Sequence, residues 1–475
     1  MKLLTEPRTV RFIVAAASGI LLALMAFVVA HGTLRTFALG LAVAVVIPLA
    51  YIAIEHPLIF PFGVYVALVP FEEILGFGKV GTINKLLGVL SVAAIALAIL
   101  RRGEFCKPSP AVVAWMVVGF WMGLTGLWTI DQKDFQIGYL TFILNFCLYA
   151  LIAMTIATRS DIEFLCTSIV TGGLLAAAFA LWPLMHGTPL GPDGRITLPG
   201  ANPFDPPDPN QFAAALLLPF AILFAATLST RQLSLRVINC SGLLLLAITI
   251  VLSGSRAAML AILVLGGYMI VRSRHRAQAL MLAGLAALAI VPFGAWIQSR
   301  FSNAVSSGGA GRADIWRVAL VAFHDHTAFG SGFASFPVAF DDAVMRAPLI
   351  HYIGWHRGPH DLIVSTAVEL GVVGLILVGA ALVIAFRDLS IVRGAGFLGD
   401  LRIALQATLL GICVDAVFLD MIDRKYFWLL FMMIALVRST LLAQTKTELD
   451  RRRTLCEAHS SLTPVPTSEP ARLSA

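Results

Sequence analysis

Residues 242–271 read GLLLLAITIVLSGSRAAMLAILVLGGYMIV, an apolar run whose only polar interruption is Ser253-Gly254-Ser255-Arg256. One helix through the whole run would bury an arginine in the bilayer, which is costly, and would invert the orientation of everything that follows. Two short helices joined at that interruption instead keep Arg231 and Arg236 on the same side as Arg272, Arg274 and Arg276. The hairpin is therefore the expected arrangement. At 1.5 Å per residue its second arm, 256–271, is about 24 Å long, which predicts a tilted, partial or re-entrant helix.

Working outward, the 475-residue chain is 59% hydrophobic and only 13% charged, with mean hydropathy +0.88. A soluble domain carries about 25% charged residues, so a soluble enzyme is excluded. Further apolar runs lie at 12–30, 37–54, 58–71, 83–100, 111–128, 139–157, 162–184, 210–228, 233–252, 279–297, 362–386, 403–419 and 427–442. These predict an all-α, polytopic integral membrane protein with about 12–14 transmembrane helices. The bundle is expected in two parts, 12–297 and 361–443, between a short cytoplasmic N-terminus, 1–11, and a disordered cytoplasmic tail, 444–475. The first helix is read as retained, because no small-residue cleavage site follows it.

The balance of 34 Lys and Arg against 27 Asp and Glu gives +7. In a membrane protein that excess reports cytoplasmic loops, so no nucleic-acid partner is expected. Arg101, Arg102, Arg159, Arg231, Arg236, Arg272, Arg274, Arg276, Arg387 and Arg402 all fall in alternate loops, which places both termini inside. The six cysteines show no CxxC spacing and suggest neither a disulfide framework nor a zinc site.

Two polar segments are then left on the outer side. One, 185–209, is rich in proline and glycine (HGTPLGPDGRITLPGANPFDPPDP from His186). The other, 298–360, is the one large loop on that face, and its aromatic content argues against disorder. Within it Ile315, Trp316, Ala319, Leu320 and Phe323 recur at helical spacing, predicting an amphipathic helix over 313–326 that lies at the membrane interface. Asp420, Asp423, Arg424 and Lys425 read first as a solvated hairpin on the same side, with contact to a glycan acceptor as the alternative.

Three residues stand at the expected outer mouths of helices: Arg256, Arg312 after a glycine-rich turn, and His360 before Asp361 and a long apolar helix. Helix N-termini favour anions, phosphate above all, and guanidinium groups add bidentate contacts to phosphate. The same helix-end field would keep the His360 imidazole neutral and able to take a proton. Read one at a time, these residues are also a snorkelling arginine, a loop charge and an interfacial histidine. His324, His326, His351 and His356 invite a metal reading, with His356 and His360 spaced like a helical pair of ligands. Gly358 and Pro359 would break that helix, so neither a metal nor another cofactor is expected.

Taken in order, Gly254-Ser255-Arg256, Gly311-Arg312-Ala313-Asp314-Ile315-Trp316, Gly330-Ser331-Gly332-Phe333 and Pro359-His360-Asp361-Leu362, leading to Glu369-Leu370-Gly371-Val372-Val373-Gly374, resemble the O-antigen ligase family. The related polysaccharide polymerases share the set. Upstream, Gly194-Arg195 and Asp208-Pro209-Asn210-Gln211-Phe212-Ala213 are similar to the family's G-R and d-P-N-x-f-A patterns. Asp361 departs from the asparagine expected in most relatives.

The resemblance implies a GT-C type glycosyltransferase of the bacterial inner membrane, with its active site facing the periplasm. Its donor would be an undecaprenyl-diphosphate-linked glycan, and its acceptor a hydroxyl of a glycan, a lipid A core or a protein. It implies His360 as the base of an inverting, metal-independent transfer, with Arg256, Arg312 and Arg195 binding the diphosphate. Asp208, Asn210, Trp316, Arg357 and Asp361 are possible supporting residues, Asp208 first of all as a helix cap. A polymerase is the alternative within the class. A transporter or flippase is the alternative outside it, because Glu55 and Asp415 lie in or near apolar spans.

Overall fold

The computed structural model describes residues 46, 48–72, 74–75, 82–186, 194–198, 208–306, 311–349, 354–392, 394 and 396–462. The predicted helix at 12–30, most of that at 37–54, the N-terminal segment 1–11 and His351 lie outside the described residues.

Every regular element among the described residues is a helix. The first five are α1 (Phe62–Leu68), α2 (Ile83–Arg102), α3 (Pro110–Thr125), α4 (Gln132–Met154) and α5 (Arg159–Met185). They begin where the sequence supplies caps. Thr82, Ser109 and Asp131 each accept a first-turn backbone N–H, and Thr158 with Asp161 forms a reciprocal capping box. The polar stretch before α6 (Pro209–Ala215) ends on the Asp208 cap, and α6 runs directly into α7 (Leu217–Ser229).

Next come α8 (Leu233–Leu252) and α9 (Arg256–Arg272), so the opening run is broken at Ser253–Ser255 as a hairpin. Then α10 (Arg276–Ile290) and α11 (Gly294–Ser306) form one apolar span. The remaining elements are α12 (Arg312–Asp325), α13 (Phe336–Val344), α14 (Leu362–Ile391), α15 (Gly396–Asp415) and α16 (Lys425–Leu462).

Nine helical spans among the described residues are long and apolar enough to cross a membrane; 62–71, 110–125 and α9 are shorter apolar helices. Every predicted run from Leu58 onward thus has its helix. The centre is formed by the spans 209–229, 396–415 and 425–445, which are largely buried, while the 276–302 span is almost uncovered. Aromatic packing locks the middle: Trp115 of α3 meets Phe427, Trp428 and Phe431 of α16 with ring centroids 5.2–5.6 Å apart.

Basic residues gather at one end of the bundle. There Arg101 pairs with Glu55 at 3.1 Å, Arg274 donates to the Gly394 carbonyl at 3.0 Å, and Arg438 lies 3.5 Å from Asp388. The turn between α8 and α9 and the starts of α12 and α14 belong to the opposite end.

Three expectations change. The helix expected to stop at Ile297 continues to Ser306, because its polar residues fall on a helix rather than in a loop. The tail expected to be disordered begins as helix, α16 running to Leu462 through a stretch free of glycine and proline. And α12 does not lie on the membrane surface by its apolar face. Ile315, Val318, Ala319 and Ala322 instead pack with Phe336, Phe340 and Val344 of α13 and Val368 of α14 in a second core. Full burial of a Val, Ile or Phe side chain is worth roughly 1.5–3 kcal/mol relative to water, and here the protein itself supplies the cover. Leu320, predicted on the same face, points outward.

Candidate functional site

The polar end is assembled by a backbone clasp. Helix α14 is not continuous: Gly371 has φ 68° and ψ −168°. At that break, Ser331 N–H donates to the Val368 carbonyl, Gly332 N–H to that of Glu369, and Val372 N–H to that of Thr327, each at 2.9 Å. A Cβ on Gly371 would stand 2.3 Å from the Ala328 oxygen, and one on Gly330 2.2 Å from the Glu369 oxygen, so neither position admits a side chain. Trp128 and Trp121 brace the junction, donating to the carbonyls of Gly330 and Leu370 at 3.2 and 3.1 Å. The buried Glu369 accepts from Phe336 N–H at 3.2 Å and so caps α13. Two of the sequence motifs are thereby architectural: they fasten the long segment to α14.

That clasp sets the starts of α12 and α14 near each other. Arg312 opens α12 after Gly311, at φ 81°. Its guanidinium carbon lies 5.8 Å from the Phe418 ring centroid, and it stands within electrostatic range of Asp208, Asp361 and Asp415. Asp361 caps α14, accepting from Ile363 N–H at 2.7 Å and Val364 N–H at 3.0 Å. Burial raises its pKa above the usual carboxylate value, against the pull of those two bonds and of Arg312. Leu362 N–H donates to the Ala416 carbonyl at 2.8 Å, bringing the end of α15 to the same place.

His360 has a left-handed backbone, φ 48°, a conformation that costs a residue with a side chain roughly 1–2 kcal/mol. Its ring keeps access to solvent, yet the surrounding protein atoms, then Arg312, with Arg357 adding less, lower its pKa against the opposing pull of Asp208. This shift favours the neutral imidazole.

The second wall is the turn between α8 and α9. Ser255 caps α9 by accepting from Ala258 N–H. Arg195 Nε donates to the Ser253 carbonyl and its Nη2 to Asn210 Oδ1, both at 2.7 Å, while Asn210 donates to Asp208 Oδ1 through its backbone N–H and its Nδ2. Arg256 is half-buried and lies within range of Arg312 and Arg300. Arg195, Arg256, Arg312, His360, Asp208, Asn210 and Asp361 thus come together at one end. Trp316 lies one turn into α12, half-buried, with its indole nitrogen buried and without a protein partner among the described residues. Arg357 joins through its charge on His360.

Sequence reading missed Arg300 and misjudged Asp415. Arg300 falls in the segment 298–360 that hydropathy assigns to the loop, just past the apolar run 279–297. Asp415 is fully buried at the end of α15, with neither oxygen hydrogen-bonded among the described residues, beside Arg312. Nor are Asp420–Lys425 a solvated hairpin. Lys425 is buried and paired with Glu72, and Gln211 and Asn145 donate to the carbonyls of Asp420 and Asp423 at 3.0 and 3.2 Å.

His356 accommodates no ligand pair with His360. It is non-helical and bound to Asp341, its backbone N–H 2.5 Å from the carboxylate. His324 and His326 are exposed on the outer turn of α12 and just beyond it.

A family model described as O-antigen ligase matches residues 241–379. The chain carries an O-antigen ligase domain. It indicates a glycosyltransferase of the ligase or polymerase type, working on glycan and lipid-linked substrates in a multi-pass membrane protein. The matched O-antigen ligase stretch holds Arg256, Arg312, His360 and the clasp, whereas Arg195, Asp208 and Asn210 precede it. No curated protein matches the chain.

Proposed function

We propose that this protein transfers a glycan from undecaprenyl diphosphate to an acceptor hydroxyl at the periplasmic face, by inversion and without a metal. The observation that carries the reading is the convergence of Arg312 with His360, from two separate helix starts, the guanidinium charge of Arg312 acting on the His360 ring. His360 takes the proton of the acceptor hydroxyl as its oxygen attacks the anomeric carbon from the side opposite the diphosphate. A new C–O bond forms there, the bond from the anomeric carbon to the phosphate oxygen breaks, and its electron pair leaves on undecaprenyl diphosphate. Arg312 and Arg256, with Arg195 held by Asn210 and Ser253, bind the diphosphate and gain strength as its charge develops. Asp208 and Asp361 fix the helix starts, and guanidinium charge stands in for a divalent cation.

The side of the membrane follows from the positive-inside rule, since the site lies opposite the basic end. The location is the bacterial inner membrane. Transport is disfavoured by the placement of its two carboxylates: Glu55 sits at the basic end paired with Arg101, and Asp415 at the other end beside Arg312, so they share no midplane site.

The test is transfer yield of His360→Ala and Arg312→Ala at matched membrane levels. Both are expected to abolish transfer, and wild-type yield in both overturns the mechanism. Deleting the protein separates the acceptors: long lipid-linked chains accumulate if a ligase is missing, single repeats if a polymerase is missing. The ligase outcome is the one expected.

A further inference from the structure

Arg300 is the sole charged residue of α11 and comes from the span least covered by protein. Its Nε is nevertheless buried and without a hydrogen-bond partner among the described residues. The guanidinium is turned toward the turn between α8 and α9. A Cβ built on Gly254 would lie 3.1 Å from Arg195 Nε and 3.3 Å from Arg300 Nε, so the two arginines flank the same glycine. The Arg300 carbonyl meanwhile lies 3.5 Å from Arg256 Nη1. Around Ser253–Arg256 the fold therefore collects Arg195, Arg256 and Arg300, with Arg312 in range of Arg256.

Like charges held together in a partly dehydrated place repel strongly, and the nearby carboxylates are engaged elsewhere. Asp208 and Asp361 hold helix starts, and Asp415 faces Arg312. A lone surface arginine would leave its Nε open to water; this one buries it against the turn. Such an arrangement fits a polyanion, whose charge offsets the repulsion among the guanidinium groups. A diphosphate diester carries two negative charges, and breaking its bond to the sugar adds a third on the departing oxygen.

We propose that Arg300 is a further diphosphate-binding residue, reaching across Gly254 to hold the leaving undecaprenyl diphosphate together with Arg195 and Arg256. This rests on the reading of the arginine cluster as the diphosphate site.

The experiment titrates undecaprenyl diphosphate into the detergent-purified full-length protein, wild type against Arg300→Ala, Arg300→Lys and Arg312→Ala. Arg300→Ala is expected to weaken binding about ten-fold or more, the loss of one charge-assisted hydrogen bond, and Arg300→Lys by less. Weakening in Arg312→Ala beside an affinity within two-fold of wild type in Arg300→Ala overturns the role of Arg300 and leaves the diphosphate site standing. Unchanged affinity in both variants overturns the site and the inference together. Should Arg300→Ala fail to reach the membrane, Arg300→Gln, which keeps most of the side chain, takes its place under the same criteria.

Discussion

Replacing Gly371 by alanine tests whether the clasp, rather than helix propensity, organises the site. At φ 68°, ψ −168° the backbone is in a region open essentially to glycine alone, and holding another residue there costs roughly 1–3 kcal/mol. The added methyl would also stand 2.3 Å from the Ala328 oxygen and 2.7 Å from the Gly330 nitrogen, backbone atoms that cannot rotate away. Relief requires the junction to open, giving up the bonds from Val372 to Thr327 and from Gly332 to Glu369 at about 0.5–1.5 kcal/mol each. Together these come to roughly 2–6 kcal/mol, at least about a 30-fold shift toward an opened segment.

Gly379, two turns along the same helix, is the control, since a Cβ there meets nothing within 4 Å. Limited proteolysis in membrane vesicles, run beside the transfer assay, reads both effects. In Gly371→Ala, cleavage is expected within 311–349 at protease levels that spare wild type, with transfer reduced ten-fold or more. Gly379→Ala should match wild type in both. Identical digestion and yield for the two variants would refute the clasp as the element that sets Arg312 against His360.

Asp361→Asn should keep both cap bonds and transfer within a few-fold, while Asp361→Ala should lower thermal stability by about 1 kcal/mol; equal stability of the two would show that the cap is idle. Because the base must be unprotonated, transfer should fall only as pH drops through a His360 pKa held below the ordinary value of about 6.5. Arg357→Gln removes one of the lowering charges and should move that acid limb upward in a pH–rate profile; a downward shift contradicts the assigned electrostatics. Purified protein should turn over at an unchanged rate after EDTA treatment, and loss of activity restored by a divalent cation would return the histidines His324, His326 and His351 to consideration.

What could be read from the chain alone was the membrane character, the helix order and the hairpin at Ser253–Ser255. Hydropathy and charge act locally, so a window of residues contains the information. The motif arginines and His360 were legible for a similar reason, each standing at a helix start that its own neighbours define. Other features depend on contacts between distant segments. Glu369 and Gly371 lie in a run that reads as unbroken helix, and only the approach of residues 327–332 gives the break its hydrogen bonds. The amphipathic α12 has a face that a bilayer or a protein could cover, and α13 with Val368 settles the choice. Arg300 looked like a solvated loop charge because polarity rises before the helix ends, and only its approach to Gly254 puts it among the other arginines. Local pattern decides which segments leave water; tertiary packing decides which of the remaining charges face one another, because burial and proximity belong to pairs of segments rather than to either one.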